Sequence, residues 1–214
     1  MTVVMAGPSS LPDRRETLEE GDVPPDPLEQ VRSWLAQAVA AGVVEANAMC
    51  LATASPDGVP AARMVLLKAV DDSGLVFYTN LGSDKARDLA ANPRAAAVLH
   101  WPELARQVRV AGVVTRLGEE ESAAYFATRP RGSQLASWAS HQSETVASRA
   151  ALEERFEAMV VRFGEGPVPL PPFWGGFRVH AEVVECWQGR PNRLHDRLRW
   201  RRSEPGWVLE RLAP

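Results

Sequence analysis

Met49 to Asn80 reads MCLATASPDGVPAARMVLLKAVDDSGLVFYTN. It holds three short β-prone runs, MCLATA, ARMVLLKAV and GLVFYTN. They are separated by SPDG and DDSG, tight-turn sequences in which Asp bonds its own backbone and Gly supplies positive φ. The reading is a meander of antiparallel strands. Working outward, DPLE at Asp26 to Glu29 gives an N-cap Asp, a Pro at the first helical position and a Glu at the third. Val31, Trp34, Leu35, Ala38 and Val39 then share one helical face, and Gly42 suits the C-terminal cap. Downstream, Ser83 is placed to cap a short helix, SDKARDLAANP, before strands at AAAVLHW and RQVRVAGVVTRL. Helices are expected over 119–128, 133–139 and 148–163, then strand again in WGGFRVHAEVVECWQG. A final hairpin, RLRWRR to GWVLERL, turns on SEPG. Six or seven strands with helices inserted between groups of them predict an α+β protein built on a small antiparallel barrel.

The chain has 214 residues, nearly half of them hydrophobic, which suffices for one core. Residues 1–25, rich in Pro, Gly, Ser and charge, read as a flexible arm, and 26–214 as a single domain. The formal net charge of -3 argues against a general polyanion binder. No helix-turn-helix, RRM-type or finger pattern is present, so no nucleic-acid partner is expected. Cys50 and Cys186 lack metal-like spacing and read as free thiols in a reducing cytosol. His100, His141, His180 and His195 suggest no metal site. With no signal-peptide pattern and no span of about 20 apolar residues, the expectation is a soluble, cytoplasmic protein without a membrane partner. There is also no G-x-G-x-x-G after a first strand.

Three stretches carry the candidate chemistry. In RMVLLK, a period-2 strand puts Arg63 and Lys68 on opposite faces, so they form one patch only if the strand bulges there. Otherwise they are two cations at the ends of a buried strand. In YFATRPRGSQLASWASHQS, Tyr125 and Arg129 are i and i+4, and Pro130 ends their helix and leaves Ser133 to begin the next. A phenol, a guanidinium and a hydroxyl near a helix start make a phosphate pocket. Helix-terminal caps with surface arginines are the alternative. In WQGRPNRLHDRLRWRR, a strand would place Arg193, His195 and Arg197 on one face, with Leu194, Asp196 and Leu198 on the other. Arg199, Arg201 and Arg202 read as solvated strand.

These stretches, in order with NAMCLATASPDG, VFYTNLGS, RQVRVAG, PLPPFWGGFRV and the terminal ERLAP, resemble the pyridoxine (pyridoxamine) 5′-phosphate oxidase family from about Asp26 to Pro214. The resemblance implies an α+β, FMN-binding split β-barrel with peripheral helices, dimeric, with flavin at the subunit interface. It implies oxidation of pyridoxine or pyridoxamine 5′-phosphate to pyridoxal 5′-phosphate, with O2 reduced to hydrogen peroxide. By motif match the FMN contacts are Arg63, Met64, Val65, Leu66, Leu67, Lys68, Tyr78, Thr79, Lys85, Gln107, Gln142, Ser143, Trp187 and Arg197. The substrate contacts are Lys68, Tyr125, Arg129, Ser133, Arg193 and His195. Arg193 and His195 would cover the substrate ring, with His195 handling protons, and Arg197 would stabilise charge at the reacting centre or on the reduced flavin.

Two positions depart from the family's pattern. Asp84-Lys85 stands where the family usually carries Arg-Lys toward the FMN phosphate, with Arg87 near enough to compensate. Thr17 follows Arg14-Arg15-Glu16 where the family often has a tyrosine in a segment that closes over substrate. The alternatives are a flavin oxidase of the same fold acting on another ring, such as a phenazine precursor, or a non-catalytic FMN- or pyridoxal phosphate-binding protein.

Overall fold

The structure is a computed structural model, and it describes residues 17–214. In chain order the helices are α1 (Pro27–Ala40), α2 (Asp84–Ala91), α3 (Glu119–Ala127), α4 (Arg131–Ala139) and α5 (Arg149–Phe163). The strands are β1 (Ala48–Ala54), β2 (Pro60–Leu66), β3 (Ala69–Val70), β4 (Gly74–Asn80), β5 (Arg94–Trp101), β6 (Arg106–Arg116), β7 (Trp174–His180), β8 (Val183–Gln188), β9 (Asp196–Ser203) and β10 (Gly206–Arg211). The chain divides into two compact units. One holds the described residues up to Ala46 with Val98–Val110 and Glu182–Pro214, and the other holds Asn47–Ala97 and Ala111–Ala181. Strands β5 and β6 each pass from one unit into the other.

In the unit that contains the C-terminus, the strand order is β10-β9-β8-β6, and the β9 pairings with β8 and β10 are antiparallel. Its helix α1 starts as predicted: Asp26 accepts from the Leu28 N–H at 3.0 Å, and Pro27 takes the first helical position. Val31, Trp34 and Ala38 turn inward from α1 and are buried with Trp101, Val184, Leu198 and Trp200. Trp101 Nε1–H donates to the Ala46 carbonyl at 2.8 Å, so a buried indole leaves no unpaired donor. Within residues 17–25, Glu20–Asp22 form a 3-10 turn, and Leu18 is buried. Arg211 donates to the Leu18 carbonyl at 2.9 Å and to the Glu19 and Glu20 carboxylates at 3.0 and 2.8 Å. Arg14, Arg15 and Glu16 lie outside the described residues.

The second unit carries two strand groups, β5-β1-β2 and β3-β4-β7-β6. Strands β1 and β2 form the predicted antiparallel hairpin across SPDG, and β3 and β4 the one across DDSG. The meander does not continue, because β4 takes β7 as its other neighbour. The run ARMVLLKAV is also not one strand. It breaks after Leu66, where the Leu67 N–H bonds to the Asn47 carbonyl and the Lys68 N–H to the Val76 carbonyl, both at 2.8 Å. With that break and a second at Ala181–Glu182, the described residues hold ten strands, against the six or seven expected. Ser83 occupies the N-cap position of α2, but its hydroxyl caps nothing and is buried without a partner.

Cys50 and Cys186 are free thiols, and burial pushes the Cys186 thiol well above the usual range. Among the described residues no helix is long and apolar enough to cross a membrane.

Candidate active site

A cavity of about 900 Å³ opens within the second unit, a volume in the range of small-molecule and cofactor sites. Its wall includes four cations, Arg63, Lys68, Lys85 and Arg129, and one carboxylate, Asp84. The strand break after Leu66 explains how Arg63 and Lys68 share it. A continuous strand would have put them on opposite faces, but Lys68 sits beyond the end of β2 on a bridging segment. Strand β2 is also largely exposed, so the buried-strand alternative for these cations fails.

The cations fall into two groups. In the first, Lys85 enters from the first turn of α2 and is only 7% exposed. Its Nζ donates to Gln142 Oε1 at 2.8 Å and to Thr79 Oγ1 at 3.2 Å, and the Thr79 hydroxyl donates to the same Gln142 oxygen at 2.8 Å. Burial, and then the nearby Arg63, hold the Lys85 ammonium below its ordinary pKa. Arg63 is fixed from behind: Nη1 donates to Thr53 Oγ1 at 2.7 Å, and Nη2 lies 3.9 Å from Asp88. Ser143 borders this group at φ 72, and its Oγ accepts from the Asp84 N–H at 3.2 Å. The Asp84 carboxylate is paired with Arg87 one turn along α2, and both side chains are exposed. The carboxylate that departs from the family's pattern is thereby partly neutralised within its own helix.

The second group is an aromatic stack with cations at its rim. Tyr78 packs against Tyr125 and Trp174, with centroids at 4.1 and 5.3 Å, and those two rings are 6.2 Å from each other, all in near-parallel planes. The Arg129 guanidinium sits 4.9 Å from the Trp174 ring and 5.5 Å from Phe126, a cation–π placement. Its Nη1 donates to Ser137 Oγ at 2.6 Å, and that hydroxyl donates to the Ser133 carbonyl at 2.9 Å. Lys68 Nζ stands 6.0 Å from the Tyr125 ring. Pro130 stops α3 before Arg129 and starts α4 at Arg131, which leaves Ser133 in the first turn of α4, close to its expected place. Burial lowers the Arg129 pKa, with Tyr125 opposing, yet a guanidinium stays charged. Among the described residues, no carboxylate lies within ion-pair distance of Lys68, Lys85 or Arg129. Lys85 is buried, Arg129 half-buried and Lys68 exposed, and cations without acidic partners on one wall suit an anion.

In the other unit, β8, β9 and the turn between them hold a separate group. Trp187 and His195 have ring centroids 4.7 Å apart. Arg197 Nε donates to Glu185 Oε1 at 3.0 Å, Nη2 lies 2.9 Å from the same oxygen as an ion pair, and Nη1 donates to the Ala213 carbonyl at 2.9 Å. The expected alternation fails before Asp196. Pro191–Arg193 form a 3-10 turn in which Asn192 and Arg193 take φ of 58 and 62, and Leu194 is 70% exposed. From Asp196 onward the pattern holds, with Leu198 and Trp200 buried. Arg199 and Arg201 are not free solvated cations, because both bind Glu210. Arg202 lies 5.0 Å from the Trp207 ring.

His195 Nδ1 accepts from the Arg190 N–H at 3.0 Å, so the neutral ring carries its proton on Nε2. Burial and then Arg193 lower its pKa, with Asp196 opposing. The ring is therefore a donor at Nε2, and its one basic nitrogen is already engaged, which counts against a general-base role.

A profile described as pyridoxamine 5′-phosphate oxidase matches residues 35–162, and one described as the pyridoxine 5′-phosphate oxidase C-terminal dimerisation region matches 174–214. The chain belongs to the pyridoxamine 5′-phosphate oxidase family. It is 57% identical over 200 residues to the pyridoxine/pyridoxamine 5′-phosphate oxidase of Rubrobacter xylanophilus, covering 94% of this chain and 92% of that protein. The enzyme of the same name from Thermosynechococcus vestitus is 55% identical over 201 residues, covering 94% and 95%. Among solved structures, PhzG from Burkholderia lata, in complex with tetrahydrophenazine-1-carboxylic acid, superposes with a TM-score of 0.88 at 32% identity, over 93% of this chain and 98% of that one. These likenesses establish the α+β split-barrel fold.

Of the residues that family resemblance assigned, the cavity wall brings together Arg63 through Leu66, Lys68, Tyr78, Thr79, Lys85, Tyr125, Arg129, Ser133, Gln142 and Ser143. Leu67 is 3% exposed and does not line it. Gln107, Trp187, Arg193, His195 and Arg197 belong to the other unit and do not line it either. Trp174, Thr128, Ser137 and Asn80 line the cavity and were not anticipated. Trp174 had a signal in WGG at a strand start. Ser137 had one in its i+4 spacing from Ser133.

Proposed function

We propose that this chain is an FMN-dependent oxidase that converts pyridoxine or pyridoxamine 5′-phosphate to pyridoxal 5′-phosphate and reduces O2 to hydrogen peroxide. The observation that carries the proposal is the composition of the cavity wall. It has two separate cation groups, Arg63 with Lys85 and Lys68 with Arg129, and its single carboxylate is already paired. Two phosphate-bearing molecules, a cofactor and a substrate, match two such groups.

The donor set suits FMN. Lys85, Arg63, Ser143 and the amide of Gln142 would take its phosphate and ribityl chain, with the β2 edge from Arg63 to Leu66 along the ring system. FMN, when bound, supplies the two-electron acceptor for the hydride on substrate C4′ and the route of those electrons to O2. Lys68, Tyr125, Arg129 and Ser133 hold the substrate phosphate, so binding energy remote from the reacting carbon orients the ring. The Tyr78–Tyr125–Trp174 stack keeps the phosphate-binding side chains in place and limits water on that side.

The chain acts as a homodimer in this reading, with the C-terminal region as the dimer-forming segment. Arg193, His195 and Arg197 of that region are the residues assigned to the substrate ring. His195, held as an Nε2–H donor, hydrogen-bonds the substrate and does not remove its proton.

The likeness to PhzG favours one second reading, a flavin oxidase acting on a ring without phosphate. The Lys68–Arg129–Ser133 group argues against it, since such a substrate gives those residues nothing to neutralise.

The test supplies purified protein with FMN, O2 and, in parallel, pyridoxine 5′-phosphate, pyridoxamine 5′-phosphate and unphosphorylated pyridoxine. Pyridoxal phosphate and peroxide should form in equal amounts from the two phosphates. Turnover of pyridoxine at the same efficiency would favour the second reading. FMN binding without turnover of any of the three would make the protein a flavin-binding module.

A further inference from the structure

Glu185 is a charged side chain on a buried strand. It is 6% exposed, between Val184 and Cys186, both fully buried. A carboxylate in such a place costs several kcal/mol unless it is paired and hydrogen-bonded. Glu185 has two cationic partners: Oε1 takes Arg197 through Nε and Nη2, and Oε2 takes Arg109 Nη1 at 3.1 Å.

Strand register alone does not choose these partners. Across β8 and β9, Glu185 stands directly opposite Arg199, and Arg197 stands opposite Trp187. Arg199 is taken from its other side by Glu210, its direct partner across β9 and β10, at 2.7 Å. Glu210 also takes Arg201. Two carboxylates thus sort three arginines of one strand face. Glu210 neutralises the outer two, and Glu185 reaches diagonally to the one nearest the candidate substrate residues.

The consequence for Arg197 is geometric. Nε–H and one Nη1–H are engaged by Glu185 and the Ala213 carbonyl, and Nη2 is ion-paired with the same Glu185 oxygen. One N–H on each terminal nitrogen remains for a ligand. A guanidinium gripped at three atoms presents its remaining edge in one orientation, whereas an unpaired arginine would sample many. The side chain is about one quarter exposed, so its grip is not dissolved by solvent.

We propose that Glu185 is the positioning residue for Arg197: it fixes the guanidinium edge that the oxidase reaction uses and shares its charge with Arg109. The proposal rests on the oxidase reading for its effect on turnover, but the grip itself is a property of the unliganded chain.

The experiment reads both. In the protein without FMN, the Arg197 Nε–H resonance should exchange with water far more slowly than that of the exposed Arg155. It should lose at least about tenfold of that protection in Glu185→Gln, which keeps volume and one acceptor but not the charge. With FMN bound, Glu185→Gln should lower kcat about tenfold or more and leave KM for pyridoxine 5′-phosphate within about threefold. Glu185→Asp should recover most of the loss, and Arg109→Gln, at the exposed arm, should change neither. Rapid exchange of the wild-type Arg197 Nε–H would overturn the proposal with no variant needed. So would an unchanged kcat in Glu185→Gln. Should the wild-type chain show no oxidase turnover, the function assignment falls and exchange alone decides: protection lost in Glu185→Gln upholds the grip, and protection retained overturns it.

Discussion

Lys85 and Gln142, 57 positions apart in sequence, meet at 2.8 Å between Nζ and Oε1. The contact ties the first turn of α2 to the segment that follows α4, and it is made by a buried ammonium that has only neutral oxygens for partners. Such a cation has no counter-ion bonded to it in the free protein and gains one when an anion arrives. Lys85→Met should therefore weaken FMN binding by about tenfold to a hundredfold, the range of a lost charge-assisted hydrogen bond. Quenching of flavin fluorescence on titration measures it, and Lys85→Arg should hold most of the wild-type affinity.

The same lysine sets a pH dependence. Its folded pKa is lowered from 10.5, by burial first and Arg63 second. In the unliganded protein the buried charge is a full penalty below the lowered pKa. Stability should rise as pH climbs from there toward 10.5, because the unfolded chain then binds more protons. FMN binding runs the opposite way. The anion favours the charged amine, so binding takes up protons, and affinity should fall as pH rises through the lowered pKa. Urea denaturation and FMN titration between pH 7 and about 10.5 test both, with Lys85→Met as the reference that shows neither trend.

Arg129 joins the aromatic stack to the serines of α4. Arg129→Lys keeps the charge but loses the fork that spans Trp174 and Ser137. KM for pyridoxamine 5′-phosphate should rise about tenfold or more, and kcat/KM for unphosphorylated pyridoxamine should not change. Equal loss on both substrates would remove Arg129 from phosphate binding.

Gly176 lies on β7 behind the stack. A Cβ there would stand 2.6 Å from Leu117 Cδ1 and 2.7 Å from Tyr78 Cε1. Tyr78 has little room to yield, since it packs against both Tyr125 and Trp174. Gly176→Ala should cost about 1–3 kcal/mol of stability, the usual penalty of overpacking, read as a lower urea midpoint with an unchanged slope.

Much of this molecule was legible in its sequence. Periodicity and turn residues located the elements, and Asp26 with Pro27 fixed the start of α1, because each signal is local. The errors arose where the decisive contact is distant. Nothing near Leu67 and Lys68 says that Asn47 and Val76 will bond their N–H groups and break the strand. Yet that break brings Lys68 into the cavity with Arg63. Ser83 has the composition of a cap, but its hydroxyl is buried without bonding the helix. Glu185 is one acidic residue in an apolar strand, and its meaning depends on Glu210 having claimed Arg199. The left-handed turn at Asn192 and Arg193 was not legible, since it overrides a strand alternation that the leucines suggested.

The most direct test of the central claim is the reductive half-reaction without oxygen. FMN-loaded protein is mixed anaerobically with one equivalent of pyridoxine 5′-phosphate while the flavin band and the pyridoxal phosphate band are followed together. The account predicts that the flavin bleaches completely as one pyridoxal phosphate forms per flavin, and that admitting O2 restores the band with one peroxide. A flavin that stays oxidised in the presence of bound pyridoxine 5′-phosphate would contradict it.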